Sequence, residues 1–175
     1  MRGIIAFLAF AATVPLANWM IGNVGTECIP DGPCLIPVGF GLMAPSGVIV
    51  IGAALVLRDA VHSHLGWKAA ALAILMGALL SWWFSSPGLV VASVAAFVIS
   101  EALDLAVFAK FRRQSVVLAV MASGAVGAAI DSAVFLWLAF GSLDYIAGQV
   151  VGKAYATISV ASYFWSRRML HGDDK

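Results

Sequence analysis

The sequence predicts an all-α polytopic membrane protein, a single domain over residues 1–175 built as a bundle of six transmembrane helices with both termini cytoplasmic. Three observations predict it. Of the 175 residues, 62% are hydrophobic and 11% charged, whereas a soluble domain is nearer half apolar and a quarter charged and carries a polar face on its helices. Apolar runs of about 20 residues follow one another, each long enough to cross ~30 Å of hydrocarbon. The basic residues, finally, fall at alternate ends of those runs. The formal net charge of +1 identifies no partner; the placement of the charges carries the information. The lipid bilayer is the expected surrounding, and nucleic acid is not an expected partner.

Taken in order, the spans are 3–22, 41–62, 67–84, 89–109, 116–140 and 146–166. Turn chemistry separates them: `NVGTECIPDGPCLIPVG`, `HLGW`, `SSPG`, `KFRRQ` and `GSLD`. The first span opens with Arg2 and carries small residues near `AFAA`, features shared with signal peptides, but the charge pattern counts it as a retained helix. With the N-terminus placed in the cytoplasm, Arg2, Arg58, Lys68, Lys110, Arg112, Arg113, Arg167, Arg168 and Lys175 all fall inside. The segments 23–40, 85–88 and 141–145 hold no Lys or Arg, only Glu27, Asp31 and Asp144. This is the positive-inside bias, and it requires an even number of crossings. Lys153 alone is left within a span.

The outer segment `ECIPDGPC` contains both cysteines, Cys28 and Cys34, around a Pro-Asp-Gly turn. In an oxidising compartment they can close a small disulfide; two free thiols are the alternative. No His lies in that segment, so no metal site is expected there. His62 and His64, at the inner end of the second span, read as interfacial residues, and no cofactor or metal is expected anywhere in the chain.

Ionisable residues inside spans are costly and tend to mark a pathway or a partnered network. Helical rise puts Glu101 ~18 Å and Asp104 ~22 Å below the outer end of the fourth span, Asp131 ~14 Å into the fifth and Lys153 ~11 Å into the sixth. Arg58 and Asp59 lie deeper, near the inner end of the second. Several helices therefore deliver charge to one layer near the midplane. Lys153 paired with Asp131 or Glu101 could serve only to lock helices together. The count argues for more. Glu101, Asp104, Asp131 and Asp59 outnumber Lys153 and Arg58, and surplus acid in an apolar bundle must be protonated, hydrated or matched by a bound hydrogen-bond donor. Each of these points to a cavity.

Glu101 and Asp104 are three residues apart and Phe108 follows seven after Glu101, which places all three on one helix face. Carboxylates beside an aromatic ring suit a flat heterocycle rich in N–H groups. In `SGAVGAAIDSAVF`, the small residues Ser123, Gly124, Gly127 and Ala128 precede Asp131; they allow close helix packing and also leave room for a ligand. Gln149 and Lys153 are spaced i, i+4 on the sixth span, followed by Tyr155 and Tyr163, and Asn18 is an unforced polar residue near the outer end of the first. The candidate substrate-binding set is thus Glu101, Asp104, Phe108, Asp131, Gln149, Lys153 and Asn18, with Arg58, Asp59 and Arg112 as a proton or gating network. `APSG` at 44–47 reads as a break near the outer end of the second span, either exposing backbone to a cavity or forming a plain kink.

Four stretches, `LVLRDAVHSHLG`, `SEALDLAVFAKFRR`, `GAAIDSAVFLWLAFG` and `GQVVGKAYATI`, occur in an order and spacing that resembles the vitamin uptake transporter family, whose best understood members are queuosine precursor transporters. The resemblance runs from about residue 16 to residue 165. It implies a six-helix importer of the bacterial inner membrane for 7-deazapurines, precursors of a modified base in transfer RNA. The positions matching the family motifs are Asp59, Glu101, Asp104, Arg112, Gly127, Asp131 and Lys153. Two departures stand out: the outer half of the second span reads `IGAAL` where many relatives carry a proline and an aromatic residue, and Ala128 stands where some carry asparagine or glutamine.

Other function classes fare less well. The chain has no `GxxxxGK[ST]` loop and cannot hydrolyse ATP unaided. A vitamin-binding subunit working with a separate ATPase module is the nearest alternative, and the small residues Ala6, Ala9, Ala12 and Thr13 along the first span offer it a docking face; a homodimer is the other assembly left open. A membrane enzyme would need more than paired acids and a lysine, and neither a metal-ligand spacing nor a nucleophile motif accompanies them. A purely structural protein would need no surplus intramembrane acid.

Overall fold

The structure, a computed structural model, describes residues 2–111, 113–114 and 116–171. Six helices dominate it: α1 (Arg2–Asn23), α2 (Val48–Leu65), α3 (Trp67–Phe84), α4 (Pro87–Phe111), α5 (Val116–Phe140) and α6 (Ile146–His171). Between α1 and α2 the chain forms a three-stranded antiparallel sheet of β1 (Glu27–Cys28), β2 (Cys34–Gly39) and β3 (Leu42–Pro45), in that spatial order. Among the described residues, four stretches are long and apolar enough to cross a membrane: Gly3–Asn23, Trp67–Phe84, Pro87–Phe111 and Ala122–Phe140. α2, 18 residues long like α3, carries Arg58, Asp59, His62 and His64; α6 carries Gln149, Lys153, Arg167 and Arg168.

The second span of the sequence reading needs correction. Residues 42–45 are strand, 46–47 are turn, and the helix begins at Val48. `APSG` is therefore the end of a strand and a turn, not a break within a helix. The reversal between β2 and β3 runs through Gly39, Phe40 and Gly41, with φ of 93°, 53° and 72°. These are left-handed values that glycine adopts freely and a phenylalanine rarely does. Phe40 stands at that tip, 84% exposed.

Packing sets the direction of each helix. Gly3 lies against His64 and Leu65 while Gly47 lies against Ala17 and Ile21, so α1 and α2 are antiparallel. α1 and α3 run parallel. Pro15 has no N–H to give the Ala11 carbonyl four residues back, and Gly77 of α3 fills the gap. A Cβ on Gly77 would lie 2.7 Å from the Ala11 oxygen and 2.9 Å from Val14. Only a residue without a side chain lets the two backbones meet there. Two apolar clusters stabilise the ends of the bundle. One joins Phe10, Ala54, Val61, Ala73 and Ile74 of the first three helices; the other joins Ile21, Ala92, Ala96, Phe135 and Leu136.

One end of the bundle thus gathers the C-termini of α1, α3 and α5 and the N-termini of α2, α4 and α6, together with the sheet. Trp19, Trp82, Trp83 and Trp137 are all exposed at that end, and Trp67 is exposed at the other. Exposed tryptophan at both levels, four at one and Trp67 at the other among the described residues, matches the two interfaces of a bilayer. Between those levels the exposed surface carries Leu72, Leu75, Leu79, Val91, Val98 and Leu105. In water this surface would be a liability; against lipid it is the expected exterior.

Candidate functional site: a central cavity

The interior of the bundle is hollow. A cavity of about 560 Å³ is lined from all six helices, within the ~300–1,000 Å³ typical of small-molecule sites. Its wall is mostly Ala, Val, Ile, Leu and Phe, with Asn18, Arg58, Ser93, Ser100, Glu101, Asp104, Asp131, Gln149 and Lys153 spaced along it. The structure therefore brings together six of the seven residues expected to touch substrate. Phe108 is the exception. It shares a face with Glu101 but lies ~10 Å further along the helix, and it does not line the cavity. Of the expected network, Arg58 lines the cavity, whereas Arg112 and the side chain of Asp59 lie outside the described residues, as does the side chain of Tyr163.

Two ion pairs neutralise most of the charge. The Lys153 ammonium donates to Asp131 Oδ2 at 2.5 Å and to Ser132 Oγ at 2.8 Å, and Ser132 in turn donates to the Ala128 carbonyl at 2.8 Å. Lys153 is only 3% exposed, and this network meets the charge of a buried ammonium, which would otherwise be costly. On the opposite wall, the Arg58 guanidinium pairs with Glu101, joining α2 to α4. The sequence offered Lys153 either Asp131 or Glu101; the structure pairs it with Asp131 and gives Glu101 to Arg58, and Ser132 is a partner that the sequence did not mark.

Asn18 is 2% exposed and its amide is engaged at both ends. Nδ2 donates to Ser81 Oγ at 3.3 Å, and Oδ1 accepts from Ser93 Oγ at 2.8 Å. It ties α1 to α3 and α4, so holding the sheet-side end of the cavity is the role its geometry supports. Gln149 differs. It is 3% exposed and lines the cavity, yet among the described residues its amide has no hydrogen-bond partner, and its polar atoms remain accessible from the cavity. Asp104 likewise has no ionic partner among the described residues and packs against Gly127 of α5, where a Cβ would come within 3.4 Å of its carboxylate.

The sheet packs against the C-terminal end of α1 and the N-terminal end of α6. Cys28 and Cys34 form a disulfide across β1 and β2. Ser46, fully buried, donates through Oγ to the Met20 carbonyl at 2.8 Å and through its N–H to the Cys34 carbonyl at 2.9 Å. Gly148, in the first turn of α6, faces the Met43 carbonyl so closely that any side chain there would collide with it. The small residues proposed as a docking face do not share one exposed side. Ala6 is in the core and Thr13 lines the cavity, while Ala12 is exposed.

Among the described residues no group of three or more His, Cys, Asp or Glu is placed to hold a metal ion. No curated protein and no solved structure matches the chain. A family described as "putative vitamin uptake transporter" matches residues 83–167, which run from the end of α3 through α4 and α5 into α6 and carry Glu101, Asp104, Asp131, Gln149 and Lys153. The resemblance of this membrane protein to the vitamin uptake transporter family thus holds over the very helices that supply most of the polar lining of its cavity.

Proposed function

We propose that the chain imports a small heterocycle of the 7-deazapurine class, a queuosine precursor such as preQ0, preQ1 or queuine, across a bacterial inner membrane. The reading places six helices across the bilayer, both termini in the cytoplasm and the sheet outside, where an oxidising compartment keeps Cys28 and Cys34 bridged. The observation that carries it is the cavity itself: lined from all six helices, apolar in most of its wall, with an available carboxylate and an available amide. A 7-deazaguanine ring presents an N–H and an amino group side by side for a carboxylate, and a carbonyl for an amide or ammonium. Glu101 and Asp131 each have a cationic partner; Asp104 and Gln149 are the groups left to meet a ligand. Glu101 then acts with Arg58, as part of the wall that must open for the solute to leave.

The test is uptake of radiolabelled preQ0 and preQ1 by liposomes containing the purified chain alone, beside a thermal-shift screen of 7-deazapurines and common vitamins. Saturable uptake and a shift with the deazapurines are expected, and Glu101→Gln is expected to slow uptake. A shift only with vitamins such as biotin or riboflavin would overturn the substrate assignment, and unchanged uptake by the Glu101→Gln variant would remove Glu101 from the pathway. Uptake that requires an added ATPase module would favour the substrate-subunit alternative.

A further inference from the structure

Among the described residues, the charge of the cavity does not balance. Five described residues that line it are ionisable: Arg58, Glu101, Asp104, Asp131 and Lys153. Arg58 pairs with Glu101 and Lys153 with Asp131. These pairs cancel, and Asp104 remains. It sits on α4 one turn from Glu101, faces α5 at Gly127, and has no cationic partner among the described residues. A carboxylate in an apolar cavity is met by water, by a hydrogen-bond donor, by a proton or by a bound cation, and the last two change the charge of the site. A second observation marks the same cavity as a ligand site. Gln149, almost fully buried on α6, directs an amide with no protein partner among the described residues into it.

We infer that Asp104 is the point at which a single positive charge enters the cavity, carried either by a cationic group on the solute or by a proton that accompanies a neutral solute. This deepens the proposed function and rests on it. The groups facing the cavity that set the field at Asp104 are Glu101 on its own helix, Arg58 from α2, Asp131 from α5 and Lys153 from α6. Because the four are already paired, the carboxyl of Asp104 is the site whose protonation changes with the charge of what is bound. The balance is simple. A neutral solute leaves one proton on an Asp104 oxygen, taken from solution if the carboxyl was ionised beforehand. A cationic solute leaves the carboxylate ionised and releases any proton it held.

Two probes of nearly the same shape separate the sources: 7-cyano-7-deazaguanine, which is neutral, and 7-aminomethyl-7-deazaguanine, which is cationic. Binding to the purified full-length chain is followed by calorimetry in buffers of different ionisation enthalpy, which counts protons taken up or released. In the wild-type protein the neutral probe is expected to bind about one proton more per site than the cationic probe, whatever the starting state of the carboxyl. Asp104→Asn should abolish that difference, weaken the cationic probe by about tenfold or more, and leave the neutral probe nearly unchanged. Asp104→Glu keeps the charge and should retain the proton difference; melting temperatures of both variants show that they are folded. Equal proton counts for the two probes in the wild type, or a difference that survives in Asp104→Asn, would overturn the inference while leaving the substrate assignment intact. Failure of the wild type to bind either probe would overturn the substrate assignment and this inference with it.

Discussion

Lys153 and Asp131 meet at 2.5 Å across the α5–α6 contact, with Ser132 accepting a second hydrogen bond from the same ammonium at 2.8 Å. The pair forms part of the cavity wall and fixes α6 against α5 at the depth where the polar lining is densest. Removing one partner leaves a buried charge without its counter-ion.

Lys153→Met alone should therefore destabilise the protein by about 3–5 kcal/mol. The double variant Lys153→Met with Asp131→Leu should recover most of that loss, since an apolar pair of similar volume avoids the desolvation cost. Thermal unfolding in detergent, measured for both singles and the double, gives the coupling. An additive cycle would show that the pair contributes nothing beyond its separate residues.

Arg58 and Glu101 make a different prediction because they are less buried, at 20% and 30% side-chain exposure. Arg58→Ala should lower stability modestly, by about 1–2 kcal/mol, as part of the charge is met by water. The exchange Arg58→Glu with Glu101→Arg should restore the melting temperature. If the pair guards the inner exit, the exchange should not restore the wild-type rate of solute release from preloaded vesicles.

Gly77→Val should fold poorly or melt lower by about 1–3 kcal/mol of overpacking, because its side chain would meet the Ala11 oxygen and Val14. Pro15→Ala gives Ala11 an intrahelical partner but leaves the crowding in place, so it should rescue Gly77→Val only in small part. Melting temperatures of the two singles and the double decide the point.

Reduction of the Cys28–Cys34 bridge, or replacement of both residues by serine, should lower stability by about 2 kcal/mol, the loop-closure entropy of a short ring. Since the bridge lies in the sheet and not in the cavity wall, thermal shifts produced by a bound deazapurine should persist in the serine variant. Loss of those shifts would mean that the sheet shapes the cavity from outside.

The six-span orientation is tested with single cysteines introduced into the Cys28→Ser, Cys34→Ser background. Asp144→Cys should react with a membrane-impermeant maleimide in intact cells, and Lys68→Cys should react only after the cells are opened. The reverse pattern would invert the assigned sides.

The helices were legible because a bilayer imposes long apolar runs and sorted basic charge. α3 begins and ends at 67 and 84 and α5 at 116 and 140, as the runs themselves do. Helix two was misread at its start because `LMAPSGVIVIGAAL` is apolar throughout, and a short apolar strand cannot be told from helix by periodicity. The Gly39-Phe40-Gly41 triplet between two apolar runs was the available hairpin signal. The residues of the cavity were legible from the cost of burying them, and Asp131 was one of two partners open to Lys153, but the choice between partners was not legible. Whether Glu101 meets Arg58 or Lys153 depends on how α2 and α6 are rotated, which helix-on-helix packing decides. Asn18 shows the same limit, since its partners Ser81 and Ser93 lie on two other helices and nothing in their local sequence marks them.

Because Gly148 offers no side chain to separate α6 from the Met43 carbonyl, and Gly152 one turn on packs against the side chains of Val38 in β2 and Val48 in α2, the hairpin and the N-terminal part of α6 form one close-packed block. If the chain admits a solute by a rocking movement, as the proposed function requires, that movement is expected to carry the block as a whole. The parting line must then run elsewhere around the rim, so the hairpin travels with α6 as cargo and does not flap over it like a hinged door.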